Sequence, residues 1–311
     1  MTEFKVVRPL GQGATSIAYL VECETDHKKY VIKEIDLTLI DEKSKRSIIQ
    51  EVRIAQNFKH DNIIRIINAV MNGNKFDILM EYADKGTLND FINKRKNLLP
   101  EDEIMDMFAQ ISLAVKYIHD RKILHRDLKT ANIFISGNKV LKLGDFGFAK
   151  ALSSTVDQAV TQLGTPFYLS PEICLGKPYS KPSDIWALGC ILYEMCTKKV
   201  PFTANEITVL VRKIIKEATP SIPSIYCNEI KSLIKAMLNK DPAKRPSINQ
   251  ILSMPILKYK VIALLGKKEA DIELSHSTFH GFTAGITPVE FEKEIDQIVI
   301  KKPTQSEFFF M

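Results

Sequence analysis

The feature that most constrains this chain is a change of hydrophobic period. Up to about residue 82 the apolar residues fall in short β-rich runs separated by turn chemistry. Phe4–Leu10 is followed by the glycine-containing stretch 11–16 (GQGATS), then Ile17–Glu22, the polar ETDHKK, and Tyr30–Ile35, which together read as a hairpin and a third strand. Residues 41–58 switch to helical spacing, with Ile48, Val52 and Ala55 on one face. Two more strands are expected over Ile63–Met71 and Lys75–Tyr82, joined by Asn72-Gly73-Asn74. From residue 86 helical spacing takes over. Ile104, Phe108, Ile111, Val115 and Ile118 form one stripe, and Ile185, Leu188, Leu192 and Met195 another. Shorter stripes follow at Ile207, Leu210 and Ile214, and at Ile230, Leu233 and Met237. A small antiparallel-sheet lobe with one main helix, then a larger helical lobe, makes a two-lobed α+β protein. Clefts between such lobes are where ligands bind.

Composition closes off other classes. With 45% hydrophobic and 26% charged residues, global disorder is excluded. The longest uncharged apolar run, Ile185–Tyr193, is too short to span a bilayer. Net charge is +6, but the lysines and arginines are dispersed, KSKR at 43–46 being the densest group, so no nucleic-acid partner is expected. Five cysteines (23, 174, 190, 196 and 227) form no CxxC pair, which fits neither a disulfide framework nor a zinc cluster. The start, Met-Thr-Glu-Phe-Lys, has no apolar signal core. The expectation is a reducing compartment, cytoplasmic or nuclear.

Two groups of residues carry chemistry. Between strands, Gly11 and Gly13 allow backbone N–H groups close to a phosphate, although the same pattern also serves an ordinary turn. The Rossmann reading fails because no helix follows. Lys33 has the apolar neighbours Val31, Ile32 and Ile35, which suits either an edge position or a phosphate ligand. The second group is His125-Arg126-Asp127, Lys129 and Asn132, followed by Asp145-Phe146-Gly147 after the apolar strand Val140–Leu143. Two carboxylates and an amide make a hard, oxygen-rich site suited to Mg²⁺.

In this order and spacing the motifs resemble those of the eukaryotic protein kinases, from about Phe4 to Met254. Beyond the two groups above, the resemblance takes in Glu51, GTPFYLSPE at 164–172, SDIWALG at 183–189 and Arg245 in KRPS. YVIKEI at 30–35, KLGDFG at 142–147, LGTPFYLSPEIC at 163–174 and KPSDIWALGCILYEMCT at 181–197 are similar to the NIMA-related (NEK) group. The resemblance implies a kinase domain over 4–257, with an N-lobe over 4–82 and a C-lobe over 86–257, then a C-terminal tail over 258–311 that is partly disordered or a short helix. It implies Gly11, Gln12, Gly13, Ala14, Thr15, Ser16 and Ile17 over the ATP phosphates, and Lys33 on the α- and β-phosphates paired with Glu51. Leu10, Ala18, Val31, Met80 and Phe134 would line the adenine pocket, with backbone hydrogen bonds from Glu81 and Ala83. Asp127 would accept the substrate proton, Lys129 would offset charge on the transferring phosphoryl, and Asn132 and Asp145 would hold Mg²⁺.

The implied activity is a protein serine/threonine kinase, Lys129 and Thr165 being of that type. Its cofactors would be ATP and Mg²⁺ and its partners protein substrates, with cytoskeletal or cell-cycle roles by family likeness. Arg126 before Asp127 resembles kinases ordered by phosphorylation of the activation segment, and Thr161 is the candidate site among Ser153, Ser154, Thr155, Thr161 and Thr165. Glu172 with Arg245 would be a structural ion pair, and Asp184 a brace for the His125–Asp127 loop. Three positions depart from the family: Ser16 for the third glycine, Ala18 for a valine, and Ala55 for a larger apolar residue near Phe146. Each missing methylene is worth about 0.8 kcal/mol, which points to modest ATP affinity. The alternative is a pseudokinase or scaffold. A small-molecule phosphotransferase is disfavoured by GTPFYLSPE. In the tail, VEFEKEIDQIVI suits a short helix or a strand, and without sustained heptads a monomer is expected.

Overall fold

The computed structural model describes residues 2–13, 15–137, 139–145, 166–275 and 298–301. The described chain divides into two compact units, the first taking residues up to 60, 64–84 and the strand at 298–301, the second taking 61–63 and 85–275. Among the described residues no single helix is long and apolar enough to cross a membrane.

The first unit is a sheet with one main helix. Strand β1 (Thr2–Gln12) pairs antiparallel with β2 (Ser16–Cys23), and β2 with β3 (Lys29–Asp36). Helix α1 (Glu42–Gln56) follows, started by Asp41, whose carboxylate accepts from the Ser44 N–H at 3.0 Å. Its buried face is Ile48, Val52 and Ala55, as the spacing predicts. Strands β4 (Ile66–Asn72) and β5 (Lys75–Glu81) complete an antiparallel set in the order β4-β5-β3-β2-β1. Gly73 turns between them at φ 59°, a conformation that a Cβ would strain. β1 slips register around Pro9, which cannot donate to a ladder and therefore sits at an irregularity. The predicted strand over Ile63–Met71 begins later than its apolar run. Ile63 instead belongs to the second unit and forms a bridge there with Leu143.

The second unit is built on two buried helices. Helix α2 (Leu88–Lys94) carries a reciprocal Thr87–Asp90 cap, and α3 (Glu101–Asp120) opens with three acids favourable to its dipole. All five residues of the predicted α3 stripe are buried. A two-stranded sheet follows, β6 (Ile133–Ser136) with β7 (Val140–Leu143). Then come α4 (Pro171–Cys174) and α5 (Lys181–Thr197). Helix α5 is apolar on every side and buried along most of its length. Helix α6 spans Ile207–Lys216 and α7 Asn228–Met237. Where α5 meets the end of α7 there is no room for a side chain: a Cβ on Gly189 would lie 2.9 Å from Met237 Cβ. Cys190 and Cys196 are buried in α5 as small hydrophobes, burial pushing their thiols up, that of Cys196 to about 12.

After α8 (Ile248–Leu252), the helices α9 (Pro255–Leu265) and α10 (Lys267–Ser275) carry the fold past residue 257. Leu257, Val261 and Ala270 are buried. Lys260 of α9 bonds Asp102 and Asp106 of α3, and the buried Lys116 of α3 reaches Asp120 at 2.5 Å and Glu273 of α10 at 3.0 Å. Of the sequence left open between helix and strand, Ile298–Lys301 forms strand β8, parallel to β1 at the edge of the first sheet.

Candidate active site

In the first unit the register collects the expected nucleotide residues on one face. Ala18 stands opposite Lys33, which stands opposite Ile78; Leu20, Val31 and Met80 are the next row. Lys33 is half-buried in this apolar surface. Ile17 pairs with Glu34 and so has the opposite parity, leaving its backbone as what it offers the nucleotide face. Leu10, at the irregular end of β1, is 38% exposed. Between β1 and β2 the chain closes tightly, the Gly13 N–H donating to the Ser16 carbonyl at 2.7 Å. A Cβ on Gly13 would lie 3.3 Å from Ser16 Oγ, so the serine at the third glycine position fills the inside of this turn. Around Gly11, by contrast, a Cβ would meet nothing within 4 Å. Packing within the chain therefore does not require a glycine there, whereas close approach of a phosphate to the backbone would.

Gln12, Gly13 and Thr15 flank this turn, and Ala14 lies outside the described residues. Glu51 sits on α1, three residues after Ile48 and four before Ala55, and is half-buried beside that face. Glu34, next to Lys33, is a buried carboxylate with its own partner, Lys75 at 3.0 Å. The Glu81 N–H is committed to the Arg65 carbonyl at 3.0 Å, so a hinge donor falls to Ala83.

In the second unit the loop 125–132 is tied into a knot. Asn132 Nδ2 donates to the Asp127 carboxylate at 2.8 Å and to its carbonyl at 2.9 Å, and Lys129 Nζ reaches the same Oδ2 at 3.0 Å. One carboxylate oxygen with two donors is fixed in direction. With Nδ2 used, Asn132 offers a cation its amide oxygen. The Gly144 N–H donates to the Asn132 carbonyl at 3.0 Å, which sets Asp145 beside Asn132, and Asp145 takes φ 51°, costly for a non-glycine residue. The oxygen donors of Asn132 and Asp145 fit a hard divalent cation. Phe134, on β6, is half-buried and bridges to Thr87.

A buried carboxylate braces this knot. Asp184, at the start of α5, accepts from the backbone N–H groups of His125 at 3.0 Å and Arg126 at 3.2 Å, from Tyr179 OH at 2.6 Å and from His119 Nε2 at 2.9 Å. Burial alone would raise its titration; the hydrogen bonds from His119 and Tyr179 hold it below the usual carboxylate range. Arg126 is held at φ 67°. His125 accepts from the Asp127 N–H on Nδ1, so its Nε2 carries the proton and donates to the Gly144 carbonyl at 3.1 Å. Burial lowers its pKa, which makes it a neutral strut.

Three partners of the loop were not legible in the sequence. His119 sits beside the α3 stripe without a motif of its own, and only folding brings it to Asp184. The Tyr168 hydroxyl lies 3.0 Å from Thr130 Oγ1 and donates to the buried Glu194 of α5. Burial pushes Glu194 above, and Tyr168 well above, their ordinary values. The predicted pair Glu172–Arg245 is present: both guanidinium nitrogens reach the carboxylate at 2.7 Å, and Ser183 adds a third donor. Phe146, Gly147, Thr161 and Thr165 lie outside the described residues.

Residues 4–257 match the model of the protein kinase domain. Among curated proteins the chain is 44% identical over 278 residues to serine/threonine-protein kinase Nek5 of Homo sapiens, covering 89% of this chain and 39% of that protein. It is 42% identical to serine/threonine-protein kinase Nek1 of Mus musculus, covering 84% of this chain and 22% of that one. To the probable serine/threonine-protein kinase nek3 of Dictyostelium discoideum it is 43% identical, covering 83% and 24%. The chain thus spans well under half of these relatives. With an aspartate loop braced on a helix carboxylate, a lysine in an apolar strand face and this likeness over most of its length, the chain belongs to the protein kinase family and is related within it to the Nek kinases.

Proposed function

We propose that this chain is a serine/threonine protein kinase that uses Mg²⁺ and ATP to phosphorylate hydroxyls of protein substrates. The observation that carries the reading is the Asp127–Lys129–Asn132 knot held on Asp184. Asp127 orients the acceptor hydroxyl and takes its proton. Its two donors on Oδ2 keep the carboxylate from rotating away, so the proton acceptor is positioned before substrate binds. Lys129 lies close enough to offset charge that develops on a phosphoryl in transit. Asn132 and Asp145 would hold the metal, and the Gly11–Gly13 backbone with Lys33 would hold the phosphates. Bound Mg-ATP supplies the transferable γ-phosphoryl and, through the cation, neutralises its oxygens.

The same reading takes Thr161 as the activating phosphosite, with Arg126 as a phosphate partner, and places a monomeric enzyme in the cytoplasm with protein substrates of cytoskeletal or cell-cycle type. The test is transfer from Mg-ATP to a generic protein substrate and to the chain itself, beside Asp127→Asn and Thr161→Ala. Loss of a proton acceptor should lower turnover by about 10²–10⁴. Undiminished transfer in Asp127→Asn would refute the assignment. No transfer by the parent chain, even with the activation segment phosphorylated, would leave the pseudokinase reading in its place.

A further inference from the structure

The sheet of the first unit has a second apolar face. Phe4 stands opposite Cys23, Val6 opposite Val21, Val21 opposite Tyr30, Tyr19 opposite Ile32, and Ile32 opposite Leu79. These residues have the parity opposite to Ala18, Val31 and Lys33, so none belongs to the nucleotide face. Phe4, Val6, Val21, Cys23, Ile32 and Leu79 pack into one buried cluster, with Tyr19 and Tyr30 against it. Phe4 meets the Tyr30 ring edge-on at 5.7 Å. An antiparallel sheet commonly leaves one face to water. Here that face is apolar across four strands, and Val21 at its centre is 0% exposed.

What lies at the border of this face is part of the same chain. β8 pairs with β1 in parallel, with Ile298 opposite Thr2 and Ile300 opposite Phe4, so the C-terminal sequence meets the sheet at the row where the cluster begins. It also occupies the open edge of β1, a position that otherwise invites pairing with another chain. The sequence beyond β8 includes the apolar run Phe308-Phe309-Phe310.

We propose that this outer face is a docking surface for the chain's own C-terminal segment, residues 298–311, with β8 as the backbone anchor and Phe308–Phe310 as the apolar content. The proposal is independent of catalysis. It assigns the tail a place on the small unit, and because β1 runs from this edge to Gly11, docking fixes the strand that leads into the phosphate loop.

Cys23, inside the cluster and 3% exposed, is a built-in reporter. The experiment measures its alkylation by iodoacetamide in the full chain, site by site by peptide mass spectrometry. Three variants are compared: deletion of 298–311, Val299→Pro with Ile300→Pro (which removes ladder donors of both parities), and Phe308, Phe309 and Phe310 all to Ser. The expected result is alkylation of Cys23 at least about tenfold faster in the deletion and the double proline, equivalent to about 1.4 kcal/mol of local stability. The serine variant should show a smaller increase, and a synthetic 298–311 peptide should restore protection to the deletion. Unchanged Cys23 reactivity in all three variants overturns the proposal. So does protection of the parent chain that grows with protein concentration, which would assign the face to a second copy. If Cys190 and Cys196 of the second unit open together with Cys23, the variant has unfolded. The serine variant, confined to the chain end, then decides, and unchanged Cys23 there overturns the proposal.

Discussion

Removing Arg245 should be among the most damaging single changes in the second unit, for a reason that can be worked from its bonds. The guanidinium donates to both Glu172 oxygens at 2.7 Å, to the Pro182 carbonyl at 2.8 Å and to the Asn239 carbonyl at 2.8 Å, while resting 5.0 Å from the Trp186 ring centroid. Its side chain is 0% exposed and that of Glu172 4%. Arg245→Met keeps the volume but strands a buried carboxylate with Ser183 as its remaining side-chain donor. An unpaired buried charge of this kind costs about 3–5 kcal/mol. The strain is relieved by removing the charge as well: Glu172→Gln combined with Arg245→Met should recover more than half of that loss, because Ser183 can still donate to the amide oxygen. With a urea m-value of about 3 kcal/mol/M, a 4 kcal/mol loss moves the midpoint by about 1.3 M. The assay is urea unfolding followed by the fluorescence of Trp186, the single tryptophan, across the four corners of the cycle. If Arg245→Met costs under 1 kcal/mol, or if the double variant is as unstable as the two single losses added together, the electrostatic account of this pair is wrong.

Gly189→Ala pushes a methyl to within 2.9 Å of Met237 Cβ and should cost about 1–3 kcal/mol by overpacking, read as a lower melting temperature with the circular dichroism of the folded state retained. Glu273→Gln should weaken the hold of α10 on Lys116 and cost roughly 1–3 kcal/mol, whereas the same change at the exposed Glu269 should be silent in that melting assay. Acid should destabilise the second unit in two stages. His125 has its folded pKa lowered from 6.5, so the unfolded chain takes that proton first. Its contribution is complete above pH 6.5 and is lost below it, at up to about 1.4 kcal/mol per pH unit. Glu172 and Asp184 have folded values below the ordinary 4.5 and 3.8, so their contributions are present above those values and lost as pH falls through the folded ones. His125→Gln should flatten the upper stage and leave the lower one, as measured by urea midpoints from pH 8 to pH 3.

Periodicity carried the helices because burial in this fold is set by single faces. The α1 and α3 stripes pack as their spacing requires, and α5, with apolar residues on every side, is buried on every side. The strand limits were less legible. The apolar run from Ile63 looks continuous with β4, but the backbone there is used by the second unit, through Ile63 to Leu143 and the Asn62 carbonyl to the Leu143 N–H. Ile17 reads as part of the phosphate loop until the register gives it the parity of Glu34.

The sequence by itself determined the class of chemistry. Asp127, Lys129 and Asn132 lie within one short loop, so their spacing alone lets them bond one another, and the Gly11–Gly13 turn between strands is likewise local. The tertiary structure decided what holds those residues still. Asp184 is named by the family likeness, but its partner His119 comes from a distant helix, and Thr130, Tyr168 and Glu194 come from three separate segments that no local pattern marks as partners. The same holds for β8, whose four residues could be strand or helix until the free edge of β1 supplied the hydrogen-bonding partner that a short strand cannot provide for itself.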